Sequence, residues 1–294
     1  MRDAHGRNPE TMTSRDAGNQ RVWLITGASS GFGRAIATAA LDGGDVVVAT
    51  ARRPQALDDL IAAYPDQAHA IALDVTDMDA KQVIDGVVSR HGRIDVLVNN
   101  AGRTQVGALE ETTEQELRYL FDLHFFGPAA LTRAVLPHMR RQGGGAVVQM
   151  SSVGGQITAP GFGAYCATKF ALEGLTETLS QEVNFGVRFL IVEPGAFRTA
   201  LFAAGSAYLS TAMPEYNATV GPTRQYVRSG DGTQTGDPAK AAAAILTALA
   251  AEHPPLRLAL GGDAVDGIRA HLATVGDEVA GWEAVSRATS FDPA

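Results

Sequence analysis

The sequence predicts a doubly wound α/β fold: one parallel sheet with helices on both faces, in a single domain. Short apolar runs rich in β-branched residues occur at 22–26, 46–50, 70–73, 94–98, 146–150 and 187–192. Longer segments of helical period lie between them, among them 33–41, 81–90 and 163–183. Strands apolar throughout belong to a sheet buried on both faces, and its crossovers are right-handed. The 294 residues show no internal repeat and no second-domain boundary.

Composition narrows the class. Hydrophobic residues are 45% and charged residues 19%, an ordinary globular balance, and the net charge of −8 argues against a nucleic-acid partner. No apolar run reaches the roughly 18–20 residues of a membrane span. Cys166 is the single cysteine, so no internal disulfide forms and a cytoplasmic setting fits. No Cys/His cluster has zinc spacing, so no metal site is expected.

Taken in order, residues 1–20 lack every large apolar type except Met and read as a mobile tail, with Met12 an alternative start. The first strand runs into Thr26-Gly27-Ala28-Ser29-Ser30-Gly31-Phe32-Gly33, and a helix begins there. Glycines make the turn tight and bring backbone N–H groups close to a phosphate, which the helix N-terminus also attracts. The spacing is a variant of the Rossmann fingerprint, so Gly27, Ser29, Ser30, Gly31, Phe32 and Gly33 are candidate cofactor contacts. A plain strand–helix turn is the alternative.

The second strand leads into Arg52-Arg53, where an NAD site would carry Asp or Glu. A guanidinium fork matches a phosphate, so the expectation is NADP(H), with Arg52 the principal contact to the 2′-phosphate and Arg53 the second. Simple solvent exposure is the alternative. Asp74-Val75 ends the third strand; Asp74 either reaches an adenine amino group or caps the next helix.

Asn99-Asn100-Ala101-Gly102 closes the fourth strand and Ser152 follows the fifth. Tyr165 and Lys169 then fall at i and i+4 on one helical face. With six tyrosines and three lysines in the chain, roughly 0.06 such pairs arise by chance. The pair suits carbonyl reduction, which needs a proton at oxygen while hydride reaches carbon. A Lys at about 4 Å would stabilise the phenolate by about 4 kcal/mol, lowering the phenol by about three pKa units. Ser152 would hold the substrate oxygen.

Residues 200–236 are rich in Gly, Ser, Thr, Pro and Tyr and show little periodicity. They carry Tyr208, Tyr216 and Tyr226 with Phe202, Leu209 and Met213, which suits a lid over an apolar or bulky substrate; a surface loop with incidental aromatics is the alternative. Asp237-Pro238 reads as an N-cap and N1 proline before a helix at 241–251. A last strand at 256–260 and a terminal helix after Asp263 complete the single domain, 21–294.

These motifs resemble the single-domain short-chain dehydrogenase/reductase family over nearly the whole chain: the TGxxxGxG turn, NNAG, the Ser–Tyr–Lys set, and Pro194-Gly195 with Thr199. SSVGG at 151–155 and YCATKFALEG at 165–174 are similar to its 17β-hydroxysteroid-dehydrogenase-like branch. The resemblance implies Tyr165 as general acid/base, Lys169 as its activator and ribose anchor, and Ser152 as substrate orienter. It implies that Asn100, Ala101 and Gly102 support the adenosine side and the central sheet, and that Pro194, Gly195 and Thr199 embrace the nicotinamide. It further implies a homodimer or homotetramer acting on a small-molecule ketone, aldehyde or alcohol. Where the family has an Asn that anchors a relay water, this chain has His124. Either His124 joins the relay as a fourth catalytic residue, or it is a satisfied core histidine. A non-catalytic NADP(H) sensor on the same fold is the competing function.

Overall fold

The first apolar run forms β1 (Val22–Ile25), all four residues buried. The computed structural model describes residues 20–203 and 205–291. The expected tail at 1–20 lies outside these, apart from Gln20, whose amide donates to the Gly44 carbonyl at 2.7 Å.

From β1 the chain turns into α1 (Gly31–Asp42), β2 (Val46–Ala51), α2 (Asp58–Ala63), β3 (Ala68–Ala72), α3 (Ala80–His91) and β4 (Val96–Asn99). It continues through β5 (Gln105–Val106), α4 (Glu114–Phe121), α5 (Gly127–Gln142), β6 (Gly145–Met150), α6 (Gly163–Glu182) and β7 (Val187–Pro194). The last elements are β8 (Tyr208–Leu209), α7 (Gly221–Ser229), α8 (Pro238–Ala250), β9 (Arg257–Leu260) and α9 (Gly262–Arg287).

Seven strands form one parallel sheet in the order β3-β2-β1-β4-β6-β7-β9. The order reverses between β1 and β4, and ligands bind at such a switch point, outside the carboxyl ends of the strands. One sheet face is covered by α1 and α8 through Ile36, Leu41, Ile245 and Leu249. The other is covered by α3 and α5 through Ile84, Val87, Leu131 and Met139. Asp237 accepts the Ala239 N–H at 2.8 Å, so the N-cap and N1 proline of α8 stand as read from sequence.

Two features depart from the sequence reading. The described residues of the 200–236 segment are more ordered than its composition suggests: β8 pairs with β5 in a two-stranded parallel ladder, and α7 follows. Arg224 of α7, buried, donates to Glu111 at 2.7 Å and to the Ser210 carbonyl at 2.7 Å. The segment is clasped to the body by a buried ion pair.

Second, α4 and α5 are joined through a π turn at Asp122–Phe126, where the Gly127 N–H reaches the Asp122 carbonyl five residues back. Pro128 has no N–H to offer the His124 carbonyl, which favours an irregular turn here. No described helix is long and apolar enough to cross a membrane.

Candidate active site

Three strand ends converge on the glycine turn. Gly27 (φ +65°) and Gly31 (φ +55°) occupy the left-handed region. A Cβ on Gly33 would stand 2.4 Å from Asn100 Nδ2 and 2.5 Å from the Gly27 carbonyl, so only glycine closes the turn. Asn100 locks it from β4, donating to the Thr26 carbonyl at 2.8 Å and the Gly27 carbonyl at 3.1 Å. The Thr26 hydroxyl accepts the Asn100 and Ala101 N–H groups, so the first and fourth strands end as one unit. Ser30 stands at the N-cap of α1 and its side chain makes no capping hydrogen bond. The helix N-terminus thus keeps donors for an anion, as a dinucleotide pyrophosphate requires. Ser29 and Phe32 lie in the same turn, and Phe32 packs on Phe197 at 5.2 Å between ring centres.

Arg52 and Arg53 are exposed just beyond β2, with no ion-pair partner among the described residues. Asp74 accepts from the Thr76 N–H at 3.0 Å and the Thr76 hydroxyl at 2.8 Å. It therefore holds its own turn and does not cap α3, whose N-cap is Asp79. The Val75 carbonyl lies where a Cβ on Gly127 would come within 2.6 Å, so that glycine lets the helical segment close on the end of the third strand. Thr199 faces the phosphate turn, 3.2 Å from where a Gly31 Cβ would be. Pro194 ends β7, and Gly195 leaves room for the Asp263 carboxylate, which accepts the Ala196 N–H at 2.7 Å.

Ser152, after β6, comes together with Tyr165 and Lys169 of α6 at the same end of the sheet as this turn. The Ser152 oxygen accepts the Gly154 N–H at 3.0 Å, and Ser152 lies close enough to the Tyr165 phenol to pull its pKa downward. Gly154 packs under the Tyr165 ring. Lys169, buried, donates to the Met150 carbonyl at 2.8 Å and stands 5.7 Å from the Tyr165 ring centre. The expected lowering of the phenol by Lys169 is not what this arrangement produces. Burial pushes Tyr165 up to about 12, against the lowering effect of Ser152, and pulls Lys169 down to about 8, against the Glu173 carboxylate. Desolvation of the charged form is the largest cause of both shifts.

Glu173, a further turn along α6, escaped the sequence reading. Its carboxylate accepts from Ser151, Gln156 and Arg257. It grips both sides of the segment carrying Ser152, and Gly155 has no Cβ because the Glu173 oxygen occupies that space. Arg257 also reaches Glu193 at 2.9 Å and Glu177 at 2.8 Å. Burial, with the neighbouring Glu173 charge and against Arg257, raises the Glu193 carboxyl to about 7. The spacing from Lys169 to Glu173 repeats that from Tyr165 to Lys169, a signal present in the sequence.

His124 sits in the π turn, buried, its ring edge-on to Tyr165 at 5.5 Å. Its Nε2 accepts the Arg103 N–H at 3.2 Å and its Nδ1 lies 2.9 Å from the Thr168 hydroxyl. A Cβ on Gly102 would stand 3.1 Å from that Nε2. Both ring nitrogens are engaged within the protein, which favours the core-histidine alternative.

The model of the short chain dehydrogenase family matches residues 21–208, and the chain belongs to that family. A short-chain dehydrogenase of known structure from Streptomyces avermitilis is 61% identical, with a TM-score of 0.88 over 94% of this chain and 100% of that one. Oxidoreductase BOA17 of Botryotinia fuckeliana is 39% identical over 92% of this chain and 99% of its own length. A short-chain dehydrogenase/reductase from Burkholderia phymatum, solved with NAD, is 25% identical (TM-score 0.75; 88% of this chain, 94% of that one). The Thermococcus sibiricus alcohol dehydrogenase, solved with 5-hydroxy-NADP, is 27% identical (TM-score 0.67; 82% and 96%). The chain is an oxidoreductase of this family, whose solved members include complexes with NAD and with an NADP derivative.

Proposed function

We propose that this enzyme interconverts a ketone or aldehyde and an alcohol by hydride transfer with NADP(H). The convergence of Ser152, Tyr165 and Lys169 beside an open helix N-terminus carries this reading. The reduced nicotinamide supplies the hydride when bound. Gly27, Ser29, Ser30, Gly31, Phe32 and Gly33 form its phosphate cradle, with Asn100, Ala101 and Gly102 behind it. Asp74 and Val75 border the adenine side, and Pro194, Gly195 and Thr199 the nicotinamide side. Arg52, seconded by Arg53, takes the 2′-phosphate, because no carboxylate at this strand end would repel it.

In reduction the Ser152 hydroxyl donates a hydrogen bond to the substrate oxygen. Tyr165 gives that oxygen its proton as hydride reaches carbon, so the C=O bond becomes CH–OH and a phenolate remains. A phenol near 12 is fully protonated at neutral pH, the form reduction requires. The Lys169 ammonium balances the phenolate and takes the cofactor ribose. His124 acts as a positioning residue.

Within the 200–236 cover, Val220 and Val227 with Phe202, Leu209 and Tyr216 pack on Val106 in a separate apolar cluster; a cover built on apolar side chains suits an apolar or bulky substrate of the kind taken by the 17β-hydroxysteroid-dehydrogenase-like branch. A cytoplasmic homo-oligomer completes the reading. The test is loss of NADPH absorbance with a panel of ketones graded in size. Bulky apolar ketones should give the highest kcat/KM; no turnover with any carbonyl would refute the assignment.

A further inference from the structure

The C-terminal helix α9 leaves the body of the protein. Its first turns are anchored, with Ala264 fully buried and Gly267 against Ile157. Every residue from Leu272 to Phe291 is exposed. Within that exposed length Leu272, Val275, Val279 and Trp282 are 57%, 40%, 66% and 67% exposed. Their spacing of three, four and three residues is the a/d seam of a coiled coil, and half-buried Ile268 extends it by four. Gly276 and Gly281 lie in the same stretch, where a Cβ would meet nothing within 4 Å. Two glycines weaken a helix that has no packing of its own, so this one needs a neighbour to persist.

We infer that the neighbour is α9 of a second copy, packed antiparallel about a two-fold axis near residue 277. In that register Leu272 meets Trp282 of the second copy and Val275 meets Val279, and each pair occurs twice, as a two-fold interface demands. The positions flanking the seam decide the direction. Antiparallel packing brings exposed Arg269 beside Glu283 of the second copy, twice, where it joins the pair Glu283 makes with Arg287 of its own helix at 2.7 Å, and places the two Gly276 residues opposite each other, where they permit close approach. Parallel packing would instead set Glu278 against Glu283 twice. The antiparallel form keeps one like-charge encounter, Glu278 with its own copy at the axis. The helix flanks carry Asp266, Asp277, Glu278 and Glu283 against Arg269 and Arg287, so an anionic lipid surface would repel this face. This goes beyond the proposed catalytic reading and does not depend on it.

The test is the mass of the full chain by sedimentation velocity at micromolar concentration, with reductase activity measured in parallel. The wild type should sediment as a dimer or a multiple of one. Trp282→Glu and Val279→Glu should each lower the mass one step, twofold, with activity retained per active site. Arg269→Glu should weaken the assembly, and Arg269→Glu combined with Glu283→Arg should restore it. Glu278→Gln should tighten it. A monomeric wild type, an unchanged mass for Trp282→Glu, or failure of the charge swap to restore association would overturn the proposal.

Discussion

His124 Nδ1 lies 2.9 Å from the Thr168 hydroxyl, and that contact fixes the proton on the imidazole. Because Nε2 accepts the Arg103 N–H, Nδ1 must carry the hydrogen of the neutral ring and donate it to Thr168. Thr168 in turn donates to the Tyr165 carbonyl at 2.7 Å. The loop after NNAG is thereby tied through the π turn to the helix that carries Tyr165 and Lys169.

The first prediction concerns this tie. His124→Ala leaves the Arg103 N–H without its partner and should cost about 1–3 kcal/mol of stability. It should lower kcat more than it raises KM for NADPH, and His124→Gln should recover much of the loss. Burial, with Lys169 and Arg103 nearby, holds the His124 pKa well below 6.5. The unfolded chain therefore binds a proton near pH 6.5 that the folded one refuses, and stability falls as pH drops below that value. Urea midpoints against pH should show a shallower acid loss for His124→Gln than for the wild type. Equal slopes would contradict a buried neutral imidazole.

Arg52 sets the second prediction. A charged hydrogen bond to phosphate contributes about 1.5–3 kcal/mol, so Arg52→Ala should raise KM for NADPH about 10- to 100-fold. KM for NADH should change little. Comparable losses for both cofactors would remove the case for a 2′-phosphate contact.

Glu173 is the third. Truncation to Ala leaves Arg257 short of a buried partner and frees Ser151 and Gln156, so a loss of about 3–5 kcal/mol is expected by denaturant titration. Glu173→Gln keeps the acceptor oxygen and should retain most activity while losing part of the stability. If Glu173→Ala melted like the wild type, the cluster would have no role in holding Ser152.

Much of this architecture is legible in the sequence, because a strand buried on both faces must be apolar throughout. The seven sheet strands lie within two residues of the apolar runs, and the glycine turn, Ser152, Tyr165 and Lys169 meet at one end of the sheet. What escaped has physical causes. The two-residue strands β5 and β8 are too short for any period, and α7 is mostly polar with one buried arginine. Arg257 reaches Glu173 across 84 positions, which no local pattern encodes. The expected direction of the Tyr165 shift rests on charge attraction alone, whereas burial governs the phenol in the fold. His124 stayed ambiguous because only the fold shows both nitrogens occupied.

The central claim is that Tyr165 delivers the proton. The most direct measurement is single-turnover oxidation of bound NADPH by Tyr165→Phe, with NADPH affinity measured on the same sample. The account predicts affinity within about threefold of wild type, under 1 kcal/mol. It also predicts a loss of hydride transfer of about 10²–10⁴-fold, the usual contribution of a positioned acid. Hydride transfer at the wild-type rate by the phenylalanine variant would contradict it.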